Sequence, residues 1–347
     1  MRIPPASYVR IQNAYRRGDH LVVLGDGDRV ASELAATEED RALANELWCL
    51  IGTVHAEAER FEVSVRFLEH ATGTPSTGQA ETPDDRLDWF RVLLVDEYLR
   101  LGRYDDALAQ LPRLLEPARA MDTRFAATRA QSSIAAARGD FETAHFLLNT
   151  ATGIAIRMRS RFRAALVEGD RSVLLAAQGR FHEATASADS VLTSFVRPPI
   201  GTYQRWGNTH GAMVALTLCR LSAQAGDALT AQRMLIQGTT AVERAGTSYL
   251  RAYLELARGA FYGAEGRFDL AEAALFEASR GFNVLGCLSA SAIATLEQGR
   301  LAWRRGLHLS ARPLLERALV DFRGLGQTPE INEIRRLLIE VDRHTVA

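Results

Sequence analysis

A short pattern recurs along this chain and limits what it can fold into: a glycine, an aromatic two residues on, and an alanine five residues on. It is fullest at Gly266, Phe268 and Ala271, and it repeats at Gly102/Tyr104/Ala107, Gly139/Phe141/Ala144 and Gly179/Phe181/Ala184. Weaker copies are Gly226/Ala228/Ala231, Gly306/His308/Ala311, Glu59/Phe61/Ser64 and Gly18/His20. The first positions are spaced by 41, 43, 37, 40, 47, 40 and 40 residues. Such a period holds two helices of about four turns each with short connections. Repetition at this length points to an array of helical hairpins, each burying its apolar face against its neighbours.

The motif has a mechanical reading. Glycine adopts the left-handed conformation that ends the first helix of a pair, which a residue with a side chain enters only at a cost. The aromatic is expected in the corner between the helices, and the alanine at their crossing, where a larger side chain would push them apart. On this reading Phe268 and Ala271 are buried, and Phe268→Ala removes about 3–5 kcal/mol. Seven residues before the glycine a second small residue is expected at the same crossing, and Gly52, Gly259 and Gly299 supply it.

Gly259, Tyr262, Gly266, Phe268, Ala271, Leu275 and Ala278, with a second set at Trp48, Gly52, Phe61, Leu68 and Ala71, resemble the tetratricopeptide repeat (TPR). The likeness covers residues 8–325, with a period longer than that family's usual 34. Long, degenerate repeats of this kind resemble the helical sensor domains of bacterial transcription regulators, such as the maltose-operon activator, and of peptide-pheromone receptors. The resemblance implies an all-α, right-handed superhelical solenoid of antiparallel helix pairs.

The organisation expected from punctuation and repeats is residues 1–71 as N-terminal helix pairs, 72–83 as a flexible Pro/Gly/Ser/Thr loop and 84–196 as further repeats. A Pro/Gly interruption follows at 197–207, then repeats over 208–328 and a capping helix over 329–347. The last segment is amphipathic, with Ile331, Ile334, Leu337, Leu338 and Val341 on one face.

Composition removes several function classes. The 41 basic and 42 acidic residues nearly cancel, so net charge does not favour direct nucleic-acid or membrane-surface binding. All the basic residues are arginine, which rules out a lysine-dependent phosphate loop or Schiff base. Cys49, Cys219 and Cys287 are far apart in apolar helical patterns, reading as buried free thiols of a cytoplasmic protein. No nucleophile turn, zinc-protease motif or complete dinucleotide fingerprint occurs, so no catalytic residue, cofactor or metal is assigned. His55 and Glu59, four residues apart, would share a helix face and offer two metal ligands at most.

The densest charge run is Arg157, Arg159, Arg161 and Arg163. In a continuous helix it forms the rows Arg157/Arg161 and Arg159/Arg163. Glu168 and Asp170 are then the expected partners, giving a salt-bridged surface rather than an anion site.

In the TPR class the first helix of each pair lines a concave groove. Projecting the helical period places Trp89, Asp96, Arg129, Arg220, Tyr253, Arg300, Trp303 and Arg304 on or near it. Arginine and aromatic residues combine contact area with directional hydrogen bonds, as recognition surfaces require. The expectation is a non-catalytic, regulatory scaffold that binds a protein or peptide, such as an extended acidic peptide or a partner helix, and that is compatible with a homodimer. The alternative is an effector-sensing domain of a bacterial transcription or signalling system.

Overall fold

The computed structural model describes residues 4–73, 85–196 and 202–345. Most of the expected loop at 72–83, and residues 197–201 of the expected interruption, lie outside the described residues. The described residues are all-α and divide into two compact units, 1–127 and 128–347.

The first unit contains α1 (Ala6–Arg16), α2 (His20–Ala35), α3 (Arg41–Glu57), α4 (Phe61–Gly73), α5 (Asp85–Leu101), α6 (Tyr104–Leu114) and the start of α7 (Met121–Ala137). Its hairpins are α1/α2, α3/α4 and α5/α6. The second unit continues α7 and adds α8 (Phe141–Arg157), α9 (Arg161–Ala177), α10 (Phe181–Val196), α11 (Thr202–Gln224), α12 (Ala228–Ala245), α13 (Ser248–Ala264) and α14 (Phe268–Leu285). It ends with α15 (Leu288–Arg304), α16 (His308–Leu325) and α17 (Thr328–Thr345). Residues 202–207 of the expected interruption are helical, as the start of α11.

The corners form as the repeat requires. At Gly266 φ is 74°, and the Arg267 N–H donates to the Tyr262 carbonyl across the helix end at 2.9 Å. Asp19, Asp140 and Asp227, each following a corner glycine, cap the next helix by accepting from Val22, Thr143 and Thr230 N–H. Where arginine follows instead, it pairs locally, as in Arg103 with Asp106 and Arg180 with Glu183. Glu59 stands where the other copies have glycine and still adopts φ 57°, so the tertiary fold imposes the corner at that site.

The small residues at the crossings are required by contact. A Cβ on Gly259 would lie 2.5 Å from the Leu275 side chain, and one on Gly52 or Gly299 would meet Leu68 or Leu315 at 2.9 and 2.8 Å. Ala107, Ala144, Ala184, Ala231, Ala271 and Ala311 are fully buried.

The corner aromatic departs from expectation. Phe61 is buried, whereas Tyr104, Phe141, Phe181 and Phe268 are only half-buried, and Phe268 lies beneath the Arg305 guanidinium at 5.8 Å. The corner opens at the edge of the helix layer, so the ring is covered on one side only. The deep positions lie at the far end of the second helices, where Val242, Phe282 and Phe322 recur every 40 residues with 3%, 0% and 0% exposure.

Two further expectations are corrected. The α3 helix ends at Glu57, so His55 and Glu59 share no helix face, and the buried His55 ring stacks on Phe67 instead. The Arg157–Arg163 run is not one helix, because α8 ends at Arg157 and α9 starts at Arg161. Glu168 pairs with Arg171 and Asp170 with Arg129, so neither serves that run.

Candidate functional site on the first helices of the second unit

Helices α9, α11, α13, α15 and α17 pack side by side in that order. The turn at Gly139, between α7 and α8, also approaches the start of α17: a Cβ there would lie 3.5 Å from Pro329. Charged side chains gather on these helices in two clusters.

In the first cluster, Asp170 on α9 accepts from Arg129 on α7 through both carboxylate oxygens, at 2.6 and 3.0 Å. The Nε2 atom of His210, on α11, is 3.5 Å from Asp170 and 3.0 Å from the Leu166 carbonyl, to which the neutral ring donates. Gly169 makes room for that ring, since a Cβ there would sit 2.6 Å from Nε2. Burial pushes the imidazole down to about 4, outweighing Asp170. The folded value is below the ordinary one, so the stability gained by burying the neutral ring is complete above pH 6.5 and is lost as pH falls toward 4. Urea midpoints measured from pH 7 to pH 4 should therefore fall more steeply for the wild type than for His210→Gln. Parallel curves would contradict the assignment.

The second cluster joins α11, α15 and α17. Glu297 on α15, 4% exposed, accepts from Arg220 at 3.3 Å, from Gln224 and from Arg300. Arg300, 6% exposed, also reaches Glu333 on α17. Burial alone would pull the Arg300 guanidinium down, and Glu297 and Glu333 outweigh that, holding it above its usual range. Glu330, beside these groups, has its carboxyl raised by burial, and its Oε2 is enclosed without a hydrogen-bond partner. Next to Arg220 is a small cavity of about 90 Å³ walled by Leu216, Thr217, Tyr253, Leu256 and Ile293.

The expected groove residues separate accordingly. Arg220 and Arg300 meet through Glu297, and Tyr253 shares the cavity with Arg220 while its ring packs edge-on to Tyr249 and Phe282. Arg129 belongs to the Asp170/His210 cluster. Trp303 is half-buried against the α16/α17 core, and Arg304 is exposed. Trp89 and Asp96 belong to the first unit, where Trp89 is 41% exposed and Asp96 is half-buried. Beside them, Asp88 is fully buried and accepts from Arg91 and Arg119 at 3.1 and 2.9 Å.

Among the acidic partners, Glu297 was not expected from the sequence and Asp170 was expected to serve other arginines, though a periodic signal exists. Asp170 and Glu297 both lie nine residues before a repeat glycine, and Arg220 and Arg300 six before. Glu330 and Glu333 lie beyond the last repeat, with no register to mark them. Among the described residues no group of three or more His, Cys, Asp or Glu side chains is placed to hold a metal ion, and no helix is long and apolar enough to cross a membrane.

No family model matches the sequence, and no curated protein matches it. Solved structures do match. One is the Rap conjugation gene regulator of the plasmid pLS20 in complex with the Phr* peptide, with 11% identity, 83% of this chain and 76% of that chain covered, and a TM-score of 0.65. Another is a Rap protein complexed with competence and sporulation factor, with 11% identity, 99% and 88% covered, and a TM-score of 0.56. A third is a signal-transduction ATPase with a tetratricopeptide repeat sensor from Pyrococcus horikoshii, with 11% identity, 94% and 51% covered, and a TM-score of 0.50.

The fold is a TPR-like helical repeat. The matches do not confirm the narrower likeness to the maltose-operon activator.

Proposed function

We propose that this TPR-like chain is a non-catalytic regulator that binds a peptide or protein segment on the first helices of its second unit. The observation that carries the reading is the convergence of Arg220, Gln224, Tyr253, Glu297 and Arg300 from three successive first helices beside one cavity. Similarity to structures solved with a peptide or a signalling factor bound supports it. Burial pushes the Cys219 thiol up to about 12, which leaves it unreactive at neutral pH.

The structure changes what such a ligand would meet. Arg220 and Arg300 are already engaged by carboxylates, and with Glu297, Glu330 and Glu333 the cluster holds two cations against three carboxylates. An acidic peptide would have to displace those carboxylates, so shape and hydrogen bonding at Tyr253 and the cavity carry recognition on this reading. The cavity is well below the roughly 300–1,000 Å³ of small-molecule sites, so it suits a single side chain of a peptide better than a whole small molecule.

The test uses a peptide selected by display against the full chain. Thr217→Met narrows the cavity without adding a charge beside the Arg220–Glu297 pair, and it should weaken that peptide at least tenfold while leaving the melting temperature within a few degrees. Unchanged affinity would place recognition elsewhere.

A further inference from the structure

The turn between α8 and α9 carries a charge arrangement unlike the other corners. Arg157, Arg159 and Arg161 are all exposed, and no ion pair joins any of them to a described residue. Three arginines at other corners are neutralised within a few residues, Arg103 by Asp106, Arg180 by Glu183 and Arg267 by Glu265. The acids nearest in sequence are committed elsewhere, Glu168 to Arg171 and Asp170 to Arg129. Three positive charges thus stand together on a chain whose net charge is −1.

The backbone holds them there at a conformational cost. Arg159 has φ 51°, in the left-handed region that ten glycines occupy elsewhere among the described residues. Glycine at this position would remove the strain, yet the site keeps a long cationic side chain at its apex. The turn is tied down by Arg159 N–H to the Ile156 carbonyl at 2.9 Å and Ser160 N–H to the Ala155 carbonyl at 3.1 Å. Ser160 also caps α9 by accepting from the Arg163 N–H. Beside the apex, Ile156 is 67% exposed, and farther along α8 so is Phe146, at 68%.

We propose that this turn is a docking site for an acidic segment of a partner protein, with an apolar residue of that segment seated on Ile156. The surface is independent of the cavity beside Arg220 and does not rest on the reading given for it. A protein segment fits better than a nucleic acid, because a phosphate backbone leaving the three arginines along α8 would meet Phe146 and Glu142 rather than further cations. Each exposed ion pair contributes up to about fivefold in affinity, so the three charges need the apolar contact to make a specific complex.

The test is fluorescence polarisation of the full chain with a labelled twelve-residue peptide of aspartates and glutamates around a central Leu-Phe pair, run beside a labelled DNA duplex. The expected result is saturable peptide binding that weakens at least tenfold in R157E/R159E/R161E. R159G should raise the melting temperature yet weaken the peptide about threefold, which separates the charge from any folding defect. In Thr217→Met the affinity should be unchanged. No binding to the wild type, equal binding to the triple variant, or tighter binding of the duplex than of the peptide would each overturn the proposal.

Discussion

Arg300→Ala is expected to destabilise the second unit by about 3–5 kcal/mol, because removing one member of a buried ionic cluster leaves its partners charged without compensation. Glu297 is 4% exposed and would keep only Arg220 and Gln224, while Glu330 beside it is already held away from water without a partner for Oε2. Removing both charges of the Arg300–Glu297 pair together should be milder than removing one. Arg300→Ala combined with Glu297→Gln is expected to recover part of the loss, as measured by urea denaturation in a double-mutant cycle. If Arg300→Ala cost under about 1 kcal/mol, the cluster would be solvated rather than buried. Charge reversal at Arg300 is accordingly a poor test of ligand binding, since it would damage the fold before it reported on recognition.

Phe282→Ala is expected to cost about 3–5 kcal/mol, the range for emptying a fully buried phenylalanine site. Phe282 is 0% exposed and meets Tyr253 edge-on at 4.9 Å and Tyr249 at 6.3 Å, so truncation opens a void between α13 and α14. Phe268→Ala is the control, with an expected loss of about 1–2 kcal/mol, because that ring is half-buried and the lost area is correspondingly smaller. Similar losses for the two variants, measured by thermal and urea unfolding, would show that the corner aromatic is a core residue after all. Tyr253 also lines the cavity beside Arg220, so Phe282→Ala should loosen a wall of the candidate site as well as the core.

The side chains of the candidate site were only half legible in the sequence. Arg129, Arg220, Tyr253 and Arg300 follow from projecting a helical period, because a helix keeps its faces whatever it packs against. Their partners do not follow, since the pairing of Arg220 with Glu297 spans 77 residues and depends on how successive hairpins stack. The Arg157–Arg163 run shows the reverse failure. Its spacing suits a helix, but the chain turns at Arg159 without a glycine, as it also does at Glu59, so local pattern and tertiary demand disagree there.

From the residues alone came the repeat register, the all-α class, the glycine corners and the small residues at helix crossings. Each depends on contacts between neighbouring segments or on the backbone freedom of a single residue, and both are written locally. Only the tertiary structure decided which aromatics are core, which carboxylates neutralise the inner arginines, and that a cationic turn is left uncompensated. Those outcomes depend on the stacking of hairpins 40 to 80 residues apart, where a small change in packing exchanges a buried position for an exposed one.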